Sequence, residues 1–243
     1  MRAFVLGIAG LLPAAIAQNQ PDPAGILAKV GETYANAKQY RFEMKKSGEE
    51  SGTLQIAIRT PSRFHFYAEG SVIDGADSFD RVTMVSDGGS AWNYIGGRGQ
   101  YTRKNTSLPL LDTEPPEVSP ETFVLQAEVV FLSRYARFAK AAASSARLLR
   151  QETIPIAGGT ADCYVFEIHA PLPAFQDDYT WWVDKNRYLV LREDTKPSSA
   201  RRKPSSTIYT LASIDEPVPE ELFHFTPPPG AKQVDRFESD AAR

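Results

Sequence analysis

The chain has 243 residues, 42% of them hydrophobic and 23% charged, the profile of a globular protein long enough to bury one sizeable core. Its net charge of -3 and scattered basic residues do not supply the dense positive patch that binding nucleic acid requires. The one cysteine, Cys163, cannot form an internal disulfide, so stability must come from packing.

The N-terminus reads differently from the rest. Met1-Arg2 is followed by an apolar run from Ala3 to Ile16, and Ala15-Ile16-Ala17 precedes polar Gln18-Asn19-Gln20. A charged start, a short apolar stretch and a small-x-small site are the parts of a secretory signal peptide, and the run is too short for a stable bilayer span. Residues 1–17 are expected to be removed after Ala17. No cysteine follows that site, so the expectation is a soluble exported protein in a bacterial periplasm rather than a lipid-anchored one.

From Asp22 the chain opens with a helix. Ile26, Leu27, Val30, Tyr34 and Ala37 recur at helical spacing, with Asp22 as N-cap and Pro23 at the first position. Alternating strands follow: Tyr40, Phe42, Met44; Leu54, Ile56, Ile58; Phe64, Phe66, Ala68; Val82, Met84; Trp92, Tyr94. The segments between them, including Asp87-Gly88-Gly89 and Gly96-Gly97-Arg98-Gly99, have turn compositions. This pattern predicts an antiparallel meander with one apolar face. The proline-rich stretch "NTSLPLLDTEPPEVSPE" is irregular and ends in Ser119-Pro120-Glu121, the start of a predicted helix from Pro120 to Ala143 with Phe123, Val124, Ala127, Val130, Phe131 and Tyr135 on its apolar side. Strands return at Leu148 to Ile154, Cys163 to His169, Tyr179 to Val183, Tyr188 to Glu193 and Thr207 to Ile214, with "KPSSARRKPSS" a loop before the last.

The segment "TWWVDKNRYLVLRED" reads as a hairpin. Thr180, Trp182 and Asp184 point one way and Trp181 and Val183 the other, Asp184-Lys185-Asn186-Arg187 turns, and Tyr188 to Glu193 returns. On this reading the charges belong to the turn and the solvent face, and the tryptophans are packing.

The search for chemistry returns no catalytic constellation. His65, His169 and His224 each stand alone, with no second ligand at metal spacing. Cys163, beside Tyr164 and Val165, reads as inert strand packing. "DGGSAW" is not a nucleophile elbow, and "IGGRGQY" has neither dinucleotide nor phosphate-loop spacing. Asp74, Asp77 and Asp80 recur every third residue, whereas a calcium loop needs alternate positions and a closing Glu. No metal and no cofactor are expected.

Four segments, in order, resemble the periplasmic lipoprotein carrier LolA and its relatives: "YRFEMKKSGEESGTLQIAIRTPSRFHF", "VTMVSDGGSAWNYI", "WWVDKNRYLVLRED" and "ELFHFTPPPGAKQV", the last similar to the family's C-terminal Phe-x-Phe-Thr-Pro-Pro-x-Gly. The resemblance covers most of residues 18–243 and implies a single domain of that kind, mainly β (α+β): a strongly curved antiparallel sheet forming an unclosed barrel, with helices plugging its concave side. It also implies a non-enzymatic carrier of lipid or lipoprotein acyl chains, a monomer with transport partners at the inner or outer membrane. A sheet face this rich in aromatic residues must be covered, and two helices are available to cover it. Incomplete coverage leaves a pocket; complete coverage makes a filled core, and both readings stay open. The cavity reading assigns Phe42, Met44, Ile56, Ile58, Phe64, Phe66, Met84, Trp92 and Tyr94 from the sheet, with Phe123, Val130 and Phe131 from the lid helix.

The chain departs from the family at one place. The family's lid-holding arginine directly precedes the proline of the "RTPSRF" segment; here that position is Thr60, and Arg59 lies one residue earlier. A shift of one residue sends a strand side chain to the opposite face, so Arg59 is not expected to hold the lid. Related domains act as envelope-stress sensors that bind a protein partner, and one pigment enzyme shares the fold. An enzyme would need a polar cluster inside the cavity, and the sequence shows none.

Overall fold

The computed structural model describes residues 21–48, 51–59, 62–70, 81–105, 135–169 and 177–237. Helix α1, Pro23–Ala35, begins as its sequence dictates: the Asp22 carboxylate accepts from the Ala24 and Gly25 amides at 3.1 and 3.0 Å, which satisfies two of the donors a helix start leaves open. Its Ile26, Leu27, Val30 and Tyr34 are buried. Residues 135–142 form a second helix, α2, which agrees with the end of the predicted 120–143 helix. Phe123, Val130 and Phe131 lie outside the described residues, as do Thr60 and the Asp74, Asp77, Asp80 segment.

The strands are β1 Gln39–Gly48, β2 Gly52–Arg59, β3 Arg63–Gly70, β4 Arg81–Asp87, β5 Ser90–Ile95, β6 Gln100–Asn105, β7 Arg147–Ile156, β8 Gly159–His169, β9 Asp178–Asp184, β10 Val190–Lys196, β11 Ser205–Ile214 and β12 Lys232–Gln233. All lie in one curved sheet in the order β12-β6-β5-β4-β3-β2-β1-β11-β10-β9-β8-β7. The first meander runs outward from β1, the second runs back to β11, and the two join through the β1–β11 ladder. β7 and β12 remain at opposite edges, so the barrel is unclosed. Pairing is antiparallel except for β12, which is parallel to β6.

Two boundaries differ from the sequence reading. β6 follows the expected turn where no strand was assigned, because its polar "QYTRKN" lacks an apolar alternation. β10 begins at Val190 rather than Tyr188, since Tyr188 sits at φ 56° and still belongs to the turn. The Asp184 carboxylate holds that turn by accepting from the Asn186 and Arg187 amides at 2.8 and 2.9 Å.

Candidate functional site

Register fixes which side chains share a face. Across β1 to β4 the pairs Phe42–Ile56–Phe66–Met84 and Tyr40–Ile58–Phe64 are directly opposite one another, with Met44 beside Leu54. Six of the predicted sheet residues in these rows, with Met44, are buried and form one continuous apolar stripe, as expected. Met44 also borders a depression of about 310 Å³ that opens among Gln55, Tyr67 and Glu69.

Trp92 and Tyr94 require a correction. They pair with Val85 and Thr83, while Asn93 pairs with Met84, so both point to the convex side. There Trp92, Tyr94 and Tyr101 surround Phe225 at 6.2, 6.3 and 5.6 Å. A second, smaller core of Ala57, Val218 and Phe223 lies on the same side. The C-terminal segment therefore covers the outside of β2 to β6. Arg59 belongs to this arrangement, as its shifted position predicts. It donates to the Val218 carbonyl at 2.6 Å and to Glu220 at 2.5 Å, and lies 5.1 Å from the Phe223 ring. Arg63 also pairs with Glu220. The hydrogen bond from Arg59, with Arg63 beside it, keeps the Glu220 carboxyl below its usual range.

The helices dock on the concave face where β1 adjoins β11, β10 and β9. Tyr34 of α1 stacks on Phe42 at 6.1 Å and on Tyr135 of α2 at 4.9 Å; Tyr135 and Phe138 meet Trp181 at 5.2 and 5.1 Å. Within these rings lies a polar cluster that the sequence reading missed. Glu193, opposite Trp181 in the β9–β10 ladder and 5% exposed, accepts at one carboxylate oxygen from the Trp181 indole at 2.8 Å and from the Tyr135 hydroxyl at 3.3 Å. The Tyr135 and Tyr209 hydroxyls are 2.6 Å apart. Either hydroxyl of that pair can donate. Burial raises the Tyr209 and Tyr34 phenols above their ordinary range, so both stay neutral hydroxyls. Glu193 had been assigned to the solvent face. Its burial is decided by a cross-strand tryptophan and a tyrosine 58 residues away along the chain.

The remaining candidates keep their modest roles. Cys163 is buried, and burial pushes its thiol up to about 12. His65 contacts the Leu222 carbonyl at 3.1 Å, and burial lowers its pKa. His169 pairs with Asp178 at the surface. Among the described residues no group of three His, Cys, Asp or Glu is placed to hold a metal ion, and no helix is long and apolar enough to cross a membrane.

An open, curved antiparallel sheet with two helices against its concave face is the LolA-like fold. No protein-family model and no curated protein sequence matches the chain. Among solved structures it is similar to LprF from Mycobacterium bovis, with a TM-score of 0.50, 8% identity, and coverage of 87% of this chain and 98% of that one. It is also similar to a LolA superfamily protein from Nitrosomonas europaea (TM-score 0.32, 13% identity, 85% and 99% covered) and to a chain of the Pseudomonas aeruginosa MucA/MucB complex (TM-score 0.46, 13% identity, 85% and 62% covered). At these identities the likeness is one of fold.

Proposed function

We propose that this protein is an exported, periplasmic binding protein that holds lipid or lipoprotein acyl chains against the concave face, without catalysis. One observation supports the reading: the register continues a row from Phe42, at the edge of the aromatic cluster that seats the helices, through Ile56, Phe66 and Met84 across four strands and away from that cluster. A row of that length, on strands about 4.8 Å apart, suits an extended alkyl chain. The mature protein would start at Gln18, and carriage would involve partners at the inner or outer membrane.

A second reading is a regulator that binds a protein partner. The observation in its favour is that the helix-covered half of the concave face is packed with rings. Calorimetry with acyl probes separates the two. Carriage predicts binding with a negative heat-capacity change, because apolar surface leaves water, and little dependence on salt, because no basic patch contributes. No uptake of fatty acyl, phospholipid or lipopeptide probes would leave the regulator.

A further inference from the structure

The register builds a second place on the sheet, on the side turned away from the helices. Glu43, Gln55 and Tyr67 lie side by side across β1, β2 and β3 in the row that ends at Tyr94 on the convex face, and Lys45, Thr53 and Glu69 form the next row. These six residues line the depression of about 310 Å³. It opens beside a bulge: the β1–β11 register slips between Glu43 and Met44, which leaves Thr210 as the extra residue, and the Thr210 hydroxyl donates to the Glu43 carbonyl at 3.2 Å. Bulges bend a strand and re-aim its side chains, and they gather next to sites. Two lining groups are held in place. Arg41 pairs with the Glu43 carboxylate at 2.5 Å, and the Tyr67 hydroxyl donates to Glu69 at 2.7 Å. Among the described residues the Lys45 ammonium, the Thr53 hydroxyl and the Gln55 amide have no side-chain partner. The polar face of an antiparallel sheet is ordinarily just solvated. Here fixed and unpartnered polar groups converge on one concavity, which is how small-molecule sites are built.

We propose that this convex depression binds an uncharged saccharide. Lys45 can only donate and the carboxylates only accept, whereas Thr53 and Gln55 do both. The ligand that satisfies them presents donors and acceptors at close spacing, as the neighbouring hydroxyls of a sugar do, each being both. The half-buried Tyr67 ring adds an electron-rich apolar surface for the C–H groups of a sugar ring. The volume equals that of about ten waters, roughly one to two sugar rings. An alkyl chain finds too little apolar lining, and an anion meets two carboxylates against one ammonium. A small cation meets Lys45 and carboxylates that already have partners. The inference does not rest on acyl binding, since the two sites lie on opposite faces of the sheet.

The test uses the whole chain and saturation-transfer difference NMR, with N-acetylchitotriose, maltotriose and cellotriose as neutral probes and trigalacturonate and triglycine as anionic and peptide counterparts. At least one neutral trisaccharide should bind with a Kd below about 10 mM, and the anion and the peptide should bind about tenfold more weakly or not at all. Gln55→Ala, a change at a side chain without a partner, should weaken the sugar about fivefold or more and leave uptake of a fluorescent acyl probe as in wild type. Thr53→Val is the second variant should Gln55→Ala not fold, with the same expectation. Tyr67→Phe, which keeps the ring, should cost less than Tyr67→Ala. The proposal is overturned if no neutral trisaccharide binds below about 10 mM, if trigalacturonate or triglycine binds as tightly, or if the folded variant binds sugar as wild type does. Sugar binding without acyl uptake would leave this site standing while the carrier reading fails, and acyl uptake without sugar binding would do the reverse.

Discussion

Replacing Phe42 or Phe66 with Ala should separate the two halves of the concave face. Phe42 is wholly buried, and its ring lies 6.1, 5.6 and 5.7 Å from those of Tyr34, Tyr40 and Tyr209. Phe42→Ala loses the transfer energy of a ring and leaves a hole that rigid aromatic neighbours cannot close, which costs about 3–5 kcal/mol. The lost ring pairs, on the order of 0.5–1.5 kcal/mol each, push it toward the upper end. Phe66 is 8% exposed, and it has no ring contact among the described residues. If it borders space that already exists, little new cavity is made and the loss falls to about 1 kcal/mol. The expected gap is roughly 2–4 kcal/mol between two Phe→Ala changes two strands apart on the same face. Urea unfolding followed by tryptophan fluorescence measures it, with the buried Trp181 as reporter. Phe66→Ala should melt cooperatively near the parent yet take up an acyl probe much less well. Equal losses for the two variants, outright unfolding of Phe66→Ala, or unchanged uptake by it would refute the division of the face into core and binding surface.

Other outcomes are equally checkable. Asp22→Ala removes the acceptor for the Ala24 and Gly25 amides and should lower stability by about 1 kcal/mol in the same urea assay; no change would show that the cap is dispensable. The Glu220 carboxyl is held below its ordinary value of 4.5, so the stability it adds is present above that value and fades as pH falls through the lowered folded one. The urea midpoints of wild type and Glu220→Gln should therefore differ at about pH 7 and converge as pH falls below the carboxyl's lowered folded value, with the difference shrinking in salt; a constant difference would contradict this. The Cys163 thiol, pushed up to about 12, should resist a thiol reagent at about pH 8 in the native protein and react once urea unfolds it, and rapid native labelling would contradict the burial.

Helix α1 was legible because its cap, its proline and its apolar spacing are all local. The strands with clear alternation, β1 to β5, were legible for the same reason, and so was the misdirected side chain of Arg59, which needs only the period of two. The faces of Trp92 and Tyr94 were not. Alternation says that they share a face, but which face depends on the register with β4, and both sides of β5 are apolar because the C-terminal segment, more than 120 residues away, covers the outer one. Glu193 was misread for a related reason. A charge in a strand belongs to solvent unless partners meet it inside, and its partners come from Trp181 across the ladder and Tyr135 on a helix. β6 and its parallel partner β12 carry too little apolar pattern to be seen before the fold brings them together.

Native mass spectrometry of the protein purified from its own envelope tests acyl-chain binding most directly. The account predicts a co-purifying mass that fragments to acyl chains, and that is lost in Phe66→Ala while the fold persists. A ligand-free mass under conditions that preserve non-covalent lipid complexes, or the mass of a bound polypeptide without acyl chains, would contradict it.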